Sequence, residues 1–374
     1  MNVIRTRNVH RILPLALEII SSADARPRGS RNGPVRQVSG PVSTVYEKPL
    51  ERVMFWSERD ANPFFHFFEA LWMLGGRRDV ASVSRFAKNM GNYSDNGVDF
   101  HGAYGYRWRQ RMPRDATAFD QLDKICAGLA ADHTDRRQVL QMWDSLSDLS
   151  HDGKDVPCNV TATFQVCPDG DLHLVVFNRS NDIIWGCYGA NAVQFATLLE
   201  YVAARTKIPV GTYTQISVNW HGYDATVKPL YQLMLESPLN EERSHSHQQE
   251  IPTLNLEGLI DEPCPYETGQ VKPYPLMDPS TDPAEWDRAL HRLLRADGKA
   301  PTEGIWPDPY FTEVAIPILR AHDAYKEGTG EDRYLRSMKL LETCMATDWR
   351  LACTEWIARR FGRYTKDADD GVSA

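Results

Sequence analysis

The sequence predicts an α+β fold. Strand-like and helix-like segments both occur as far as Tyr223, and helical patterns dominate from Asp282 onward. The composition, with 42% hydrophobic and 25% charged residues among 374, is that of a globular protein. The chain has no internal repeat and no low-complexity tract.

The first elements are defined by their turn and cap residues. Residues 26–42, rich in Gly, Pro, Ser and Arg, are expected to form an exposed loop. Asn62 as N-cap, Pro63 in the first turn and the stop at residues 75–76 predict a helix. Because this helix is apolar almost all round, we expect it to be buried.

The segments expected to complete the core are an amphipathic helix at 120–131, a strand within 135–144, a strand at 171–178 that is apolar on both faces and therefore central, a long helix at 190–207, and a strand at 211–223. Residues 237–282, rich in proline and polar residues, predict a long surface excursion. Helices are expected at 283–296, at about 309–326 and as a pair within 331–362, before a polar tail at 363–374 that is expected to fray.

Charge and cysteine usage exclude several classes of protein. The net charge of −8 provides no basic face for nucleic acid, and no apolar run is long enough to span a membrane. Seven cysteines without a CxxC pair favour reduced thiols in the cytoplasm, with neither a disulfide framework nor a zinc site. His245 and His247 form an HxH pair without a third ligand nearby in sequence, so we expect no metal.

Two residues are candidates for catalysis. Cys158 follows a proline at the start of a predicted strand; a lone cysteine is usually a small buried residue, but a neighbouring arginine would make it a nucleophile. Glu69 lies within the apolar helix. A carboxyl group there either forms a salt bridge or has its pKa raised towards neutral pH, as acid–base catalysis requires.

Other polar residues are candidates for binding a phosphorylated sugar. Single arginines are usually surface charges, yet several beside Ser, Asn and Gly at strand ends fit a phosphate site, because guanidinium groups match phosphate oxygens. The residues concerned are Arg31, Arg136, Arg137, Arg179 and Ser180. His221 and Tyr223 alternate on one strand face and are either packing residues or donors to sugar hydroxyls.

Six motifs in order resemble those of thymidylate synthases and pyrimidine nucleotide hydroxymethylases. They are EALW with Glu69, YGYRWR from Tyr104, TDRRQVLQMW with Arg136 and Arg137, VPC with Cys158, NRSND with Arg179, Ser180 and Asp182, and HGY with His221 and Tyr223. SRNGP, RDANPFFH, GANAVQF and the long C-terminal part resemble the phage-encoded and antibiotic-pathway branch. The resemblance implies one domain over 1–374, with a central mixed twisted sheet packed with helices, a core at about 30–236 and a helical C-terminal extension at 283–362.

The resemblance also implies roles for these residues. Cys158 adds to C6 of a pyrimidine nucleoside monophosphate, and Glu69 organises water and relays protons while methylenetetrahydrofolate supplies the one-carbon unit. The substrate-binding residues are Arg31, Arg136, Arg137, Arg179, Ser180, Asn191, His221, Tyr223 and Tyr104, and Asp182 contacts the folate pterin. Arg136 and Arg137 come from the partner subunit, so a homodimer is obligatory.

The sequence departs from the synthases at four places. Asn159 replaces the histidine after the cysteine, and Asn191 follows Gly186 by five residues instead of four. Residues 85–102 lack the tryptophans that exclude water from the reaction intermediate, and an acidic tail replaces the hydrophobic C-terminus. Access of water favours a hydroxymethyl product over a methyl product.

Three functions therefore stay open from the sequence. The first is hydroxymethylation of dUMP, or of dCMP or CMP, because an asparagine amide pairs with uracil or, when flipped, with cytosine. The second is thymidylate synthesis from dUMP. The third is a non-catalytic member of the family that binds nucleotide or RNA or serves as a part of an assembly. The expected location is the cytoplasm, that of the host if a phage encodes the chain.

Overall fold

The computed structural model describes residues 2–109, 119–237 and 256–369, which form two compact units. The first unit comprises the described residues of Met1–Ala61, Asp120–Asp152 and Val156–Thr268; the second comprises those of Asn62–Phe119, Gly153–Asp155 and Gly269–Ala374. The single-domain expectation stays a prediction. No helix in the described ranges is long and apolar enough to cross a membrane.

A six-stranded mixed sheet forms the centre of the first unit. Its strands are β1 (Asn2–Thr6), β4 (Val42–Tyr46), β5 (Val139–Gln141), β6 (Asn159–Val166), β7 (Leu172–Asn178) and β9 (Val210–Ser217). They lie in the order β1-β4-β9-β7-β6-β5. β7 runs antiparallel to β6 and parallel to β9, which confirms the prediction of a central strand at 171–178.

The two faces of this sheet differ. On one face Leu140, Ala162, Val176 and Gln215 are fully buried, and helix α7 (Asn191–Thr206) packs against β7 and β9. This confirms the helix expected at 190–207.

The other face of the sheet carries both apolar and threonine side chains and is partly open to solvent. Val139, Val175 and Phe177 lie on it with 48%, 39% and 38% of their surface exposed, and β5 is the edge strand beside β6. The strand is thus central, as expected, and its second apolar face is partly exposed in the described part of a single chain. Apolar side chains on interior strands are normally removed from water.

A second sheet contains β2 (Ala25–Ser30), β3 (Gly33–Val38), β8 (Asn181–Asp182) and β10 (Trp220–Tyr223), in the order β2-β3-β10-β8. Residues 26–42, expected to be a loop, thus include a β-hairpin whose two-residue turn is Arg31–Asn32. Gly33, with φ +117°, has a backbone conformation that glycine accepts without strain. β2 is exposed to solvent and its sequence is polar, so it lacks the apolar pattern from which a strand is predicted.

The single strand expected at 211–223 is also wrong, because the chain changes sheets within it. β9 ends at Ser217 and β10 begins at Trp220. The carbonyl of Asn219 accepts a hydrogen bond from the backbone N–H of Asn181 at 2.9 Å, which starts the pairing of β10 with β8. His221 and Tyr223 therefore belong to the second sheet.

The helices of the first unit are α1 (Val9–Ser21), α5 (Gln121–Ala131), α6 (Ser145–Asp148), a π-helix (Ile183–Ala190), α7, α8 (Asp224–Leu235) and α9 (Glu257–Ile260). The helix predicted at 120–131 is confirmed. Within the predicted surface excursion, Leu256, Cys264 and Leu276 are buried, so its described part packs into protein. Residues 238–255, with His245 and His247, lie outside the described residues.

The second unit is helical. Its helices are α2 (Pro63–Leu74), α3 (Val80–Ser84), a 3₁₀ helix (Lys88–Tyr93), α4 (Tyr104–Arg109), α10 (Pro283–Leu294), a π-helix (Phe311–Ala315), α11 (Ile316–Glu327), α12 (Asp332–Leu341) and α13 (Thr347–Asp369). Asn62 and Asp282 accept hydrogen bonds from the backbone of Phe65 and Glu285, as predicted N-caps do. The tail expected to fray from 363 is helical to Asp369, and 370–374 lie outside the described residues.

Candidate active site

Arg179 holds the chain segment that carries Cys158. Its backbone N–H donates to the carbonyl of Cys158 at 2.9 Å, and its Nε and Nη2 donate to the carbonyls of Pro157 and Val156 at 2.7 and 3.0 Å. The Cys158 Sγ lies 3.9 Å from that same Val156 oxygen. Thiol and guanidinium thus meet at one carbonyl, and a nearby positive charge favours the thiolate form of a cysteine.

Trp143 contributes to this arrangement and was not singled out from the sequence. The Arg179 guanidinium lies over the Trp143 ring at 5.6 Å from its centroid, and the Trp143 backbone N–H donates to Val160 of β6. An aromatic face favours a cation above it, so Trp143 helps to orient Arg179. The signal was a tryptophan at the end of the predicted strand 135–144.

Asp182 stands where the chain passes from β7, through Arg179 and Ser180, into the second sheet. Its Oδ1 accepts hydrogen bonds from the backbone of Ile184 and Trp185 at 2.9 and 2.6 Å, and its Oδ2 is buried, with the Tyr223 backbone N–H also acting on the carboxylate. Burial raises the pKa of the Asp182 carboxyl, and those two amides and the charge of His221 oppose the rise.

Arg59 and Trp185 lie next to Asp182 and were also missed from the sequence. Arg59 is buried, donates from Nη2 to the Ile184 carbonyl at 3.0 Å and lies over the Trp185 ring at 4.7 Å. Burial lowers the pKa of Arg59 to about 10, against the opposing charge of Asp182. The Trp185 side chain is 56% exposed, so an aromatic surface borders the buried carboxylate.

The second sheet brings together several residues that were predicted to bind the substrate or the folate. His221 pairs with Asp182 across β10 and β8, and its ring contacts that of Tyr223 edge to face. The hairpin turn reaches the same edge, where Asn32 Nδ2 lies 3.5 Å from the Tyr223 hydroxyl. Arg31, beside Asn32, is thereby placed on the Tyr223 side of the sheet.

Asn191 begins α7 and is 8% exposed. The helical segment before it is kinked, because Tyr188 (φ −109°, ψ 23°) and Gly189 (φ −127°, ψ −115°) have non-helical backbone angles, and the extra residue between Gly186 and Asn191 falls in this kink. A Cβ on Gly186 would lie 2.7 Å from the Asn181 Oδ1. Glycine at 186 therefore leaves room for Asn181, whose Oδ1 accepts a hydrogen bond from the Asn191 Nδ2 at 3.1 Å.

Arg136 and Arg137 lie just before the edge strand β5 and are exposed. Arg137 forms a bidentate ion pair with Asp135, at 2.9 and 3.0 Å, and this contact lowers the pKa of Asp135 to about 2. Both arginines are thus at the margin of the open sheet face.

Glu69 and Tyr104 belong to the second unit. Glu69 is buried in α2, and Tyr104 begins α4, which packs against α2. Gly105 allows this close approach, since a Cβ there would lie 2.1 Å from the Met73 carbonyl oxygen, and Arg109 Nε donates to the Leu74 carbonyl at 2.8 Å. The YGYRWR motif therefore fixes α4 to the end of the helix that carries Glu69.

The first unit therefore places a cysteine beside an arginine, with a buried asparagine and a carboxylate near the same strand ends. The chain belongs to the thymidylate synthase family, whose family model matches residues 59–259. It is therefore a one-carbon transferase, which confirms the predicted family, fold class and type of enzyme. The described residues contain no cluster of His, Cys, Asp and Glu that could hold a metal ion.

Comparison with individual relatives gives more detail than the family model. The chain is 47% identical to the deoxyuridylate hydroxymethyltransferase of Pseudomonas phage M6, over 100% of this chain and 99% of that protein. It is 40% identical to the deoxyuridylate hydroxymethyltransferase of Bacillus phage SP01, over 53% of this chain and 52% of that protein. A putative thymidylate synthase of Methanosarcina barkeri is 34% identical over 35% of this chain and 56% of that protein.

Proposed function

We propose that this chain converts dUMP to 5-hydroxymethyl-dUMP with methylenetetrahydrofolate. The observation that carries the proposal is the full-length similarity to the phage M6 protein named for that activity. Thymidylate synthesis is the weaker alternative, because the similarity to the putative synthase of M. barkeri extends over about a third of this chain.

Cys158 is the proposed nucleophile. Its thiolate adds to C6 of the uracil ring, and this addition makes C5 nucleophilic towards the one-carbon unit that the folate supplies. Loss of the C5 proton and departure of tetrahydrofolate leave a methylene group on the ring. Water adds to that methylene and the thiolate leaves, so dUMP, methylenetetrahydrofolate and water give hydroxymethyl-dUMP and tetrahydrofolate.

The nucleotide is proposed to bind at the strand ends around Cys158. A guanidinium has five N–H groups, and Arg179 uses two of them on the carbonyls of Val156 and Pro157, which leaves donors for a phosphate. Ser180 and Arg31 complete the phosphate site. His221 and Tyr223, adjacent in the second sheet, hold the 3′-hydroxyl.

The folate is proposed to contact Asp182 and Trp185. The buried Asp182 Oδ2 is an acceptor suited to the N–H groups of a pterin, and the half-exposed Trp185 ring offers a stacking surface beside it. Glu69 and Tyr104 keep the roles that the family motifs imply, Glu69 as proton relay and Tyr104 in the substrate site.

Water, and not a hydride, is proposed to complete the reaction. Residues 85–102 contain no tryptophan, where the synthases carry the tryptophans that exclude water from the reaction intermediate. Without a hydrophobic cover, water reaches the reactive methylene group before hydride transfer from the folate.

A homodimer is proposed on the open sheet face. Val139, Val175 and Phe177 give this face an apolar surface, which a second copy of the sheet would remove from water. Arg136 and Arg137, at the margin of the face, then reach the phosphate site of the partner.

The proposal is tested by product identity with dUMP, dCMP and CMP. With dUMP and methylenetetrahydrofolate we expect a product heavier by one CH2O unit by mass spectrometry. No dihydrofolate is expected, as followed by ultraviolet absorbance. Formation of dTMP with stoichiometric dihydrofolate would instead establish the synthase reaction, and absence of turnover with all three nucleotides would leave only the binding function.

Asp182→Asn should raise stability while it weakens use of the folate. The folded state binds the Asp182 proton more tightly than the unfolded state does. The ionised carboxylate therefore costs stability above its ordinary pKa of 3.8, increasingly as the pH rises through the raised pKa. The variant should have a higher thermal midpoint than the wild type at pH 7 and a vanishing difference towards pH 4.

The same Asp182→Asn change should lower kcat/KM for the folate about tenfold or more, because a charged acceptor is lost. Asp169→Asn, which alters a carboxylate with 59% of its side chain exposed, is the matched control and should change neither quantity. Unaltered kinetics in Asp182→Asn would refute the folate contact.

A further inference from the structure

The amide of Asn191 belongs to a chain of buried side-chain amides in the first unit. Gln215 is 0% exposed, Asn181 3% and Asn191 8%. Gln215 lies in β9, Asn181 in β8 and Asn191 at the start of α7, so three separate elements supply the chain. The hydrogen bonds among them fix which end of each amide is the donor.

The orientation of the first amide, that of Gln215, is set by the Cys187 backbone carbonyl, because a carbonyl oxygen only accepts hydrogen bonds. Gln215 approaches that oxygen at 2.7 Å, so the atom facing it is the Nε2 donor. The Tyr46 hydroxyl donates to the same carbonyl at 2.9 Å and accepts from the Gln215 Nε2 at 2.8 Å. The Gln215 Oε1 must therefore face the other way.

That orientation is passed to Asn181 and then to Asn191. The Gln215 Oε1 accepts from the Asn181 Nδ2 at 3.1 Å, which leaves the Asn181 Oδ1 facing Asn191. The Asn191 Nδ2 donates to that oxygen at 3.1 Å. Each amide in this series has one orientation because the amide before it has one. The buried Asn159 amide contacts both ends of the Asn191 amide, at 3.4 and 3.5 Å, so it does not by itself select between the two orientations.

We infer that Asn181 and Gln215 are positioning residues that lock the Asn191 amide in a single orientation, so that the site accepts uracil and rejects cytosine. Uracil presents an N–H donor at N3 and an acceptor at O4, whereas cytosine presents an acceptor at N3 and an amino donor. One asparagine orientation matches only one of these edges. The inference rests on the proposed function, which supplies uracil as the accepted base.

Binding of cytosine would require the Asn191 amide to flip. The flip places two acceptors, the Oδ1 atoms of Asn191 and Asn181, against each other. If the Asn181 amide also flips, its Oδ1 faces the Gln215 Oε1, which is again an acceptor against an acceptor. If the Gln215 amide flips as well, its Oε1 faces the Cys187 carbonyl oxygen. An unsatisfied buried acceptor disfavours the flipped state by a factor of about ten or more.

The test compares kcat/KM for dUMP and dCMP in the wild type and in Asn181→Ala. Removing the Asn181 acceptor should lower the dUMP:dCMP ratio about tenfold, with a loss for dUMP and a gain for dCMP. A merely structural defect would lower both values alike. Ser217→Ala is the matched control, because it removes the other acceptor of the Asn181 Nδ2, at 3.0 Å, and leaves the amide chain intact.

Equilibrium binding of dUMP and dCMP gives a second readout that needs no folate. Thermal unfolding shows whether Asn181→Ala is folded. If it is not, Asn181→Ser is used instead, because a serine hydroxyl is too short to reach the Asn191 amide. An unchanged ratio in a folded variant, or an equal change in Ser217→Ala, overturns the inference. Failure of the proposed function appears separately, as absence of dUMP turnover by the wild type.

Discussion

Replacing Cys158 by alanine is expected to lower kcat/KM for dUMP by about four orders of magnitude or more. The uracil ring reacts at C5 only after a nucleophile has added at C6, and alanine offers none. Product formation measured by mass spectrometry gives the rate. Arg179 and Trp143 remain in place, so nucleotide binding measured by calorimetry should survive.

A covalent trap separates loss of the nucleophile from loss of the fold. In 5-fluoro-dUMP the C5 position holds fluorine, which does not leave as a proton does, so the wild type should retain a covalent complex by intact mass in the presence of the folate. Cys158→Ala should form none. Cys167→Ala, which removes a second half-buried cysteine at the end of β6, is the matched control and should behave as the wild type. A complex in Cys158→Ala would assign the nucleophile elsewhere.

Mixing two inactive variants is expected to restore about a quarter of the wild-type activity. One variant is Cys158→Ala and the other is the double change Arg136→Ala and Arg137→Ala. In a two-fold dimer, half of the randomly mixed dimers are heterodimers, and each heterodimer has one site with both the cysteine and the partner's arginines intact. The measurement is dUMP turnover after unfolding and refolding the variants together.

Phe177→Asp provides the control for this dimer. A charge on the open sheet face should produce monomers by light scattering, because burying an unpaired carboxylate is unfavourable. Introduced into both variants, it should abolish the restored activity. If the mixture without this change stays inactive while both variants are dimeric, the arginines act within their own subunit.

Local sequence was sufficient to predict several helices and to propose the candidate catalytic residues. Asn62 and Asp282 cap helices that begin at the following proline, since a cap depends only on its next three residues. Cys158 and Arg179 were also predicted from motifs. Their contact follows from the antiparallel pairing of β6 and β7, adjacent strands joined by a short turn.

Long-range pairing decided the rest of the fold and the surroundings of the site. The hairpin at residues 25–38 and the change of sheet after Ser217 depend on β10, which a reading of local propensity does not include. The alternating pattern of β9 indicated that a polar residue, Gln215, lies in the core, but it did not indicate which residue Gln215 would hydrogen-bond. The buried face of this strand carries Gly211, Tyr213, Gln215 and Ser217.

The sequence by itself indicated the family, and it proposed Cys158 as the nucleophile and Asn191 as the residue that reads the base. Only the tertiary structure decided the orientation of that asparagine. Asn181 and Gln215 are separated by 34 residues, and a hydrogen bond between them exists only after two sheets have formed and the chain has passed from one to the other. An amide has no preferred orientation of its own, so the donor and acceptor ends of Asn191 are set by the carbonyl at the far end of that chain.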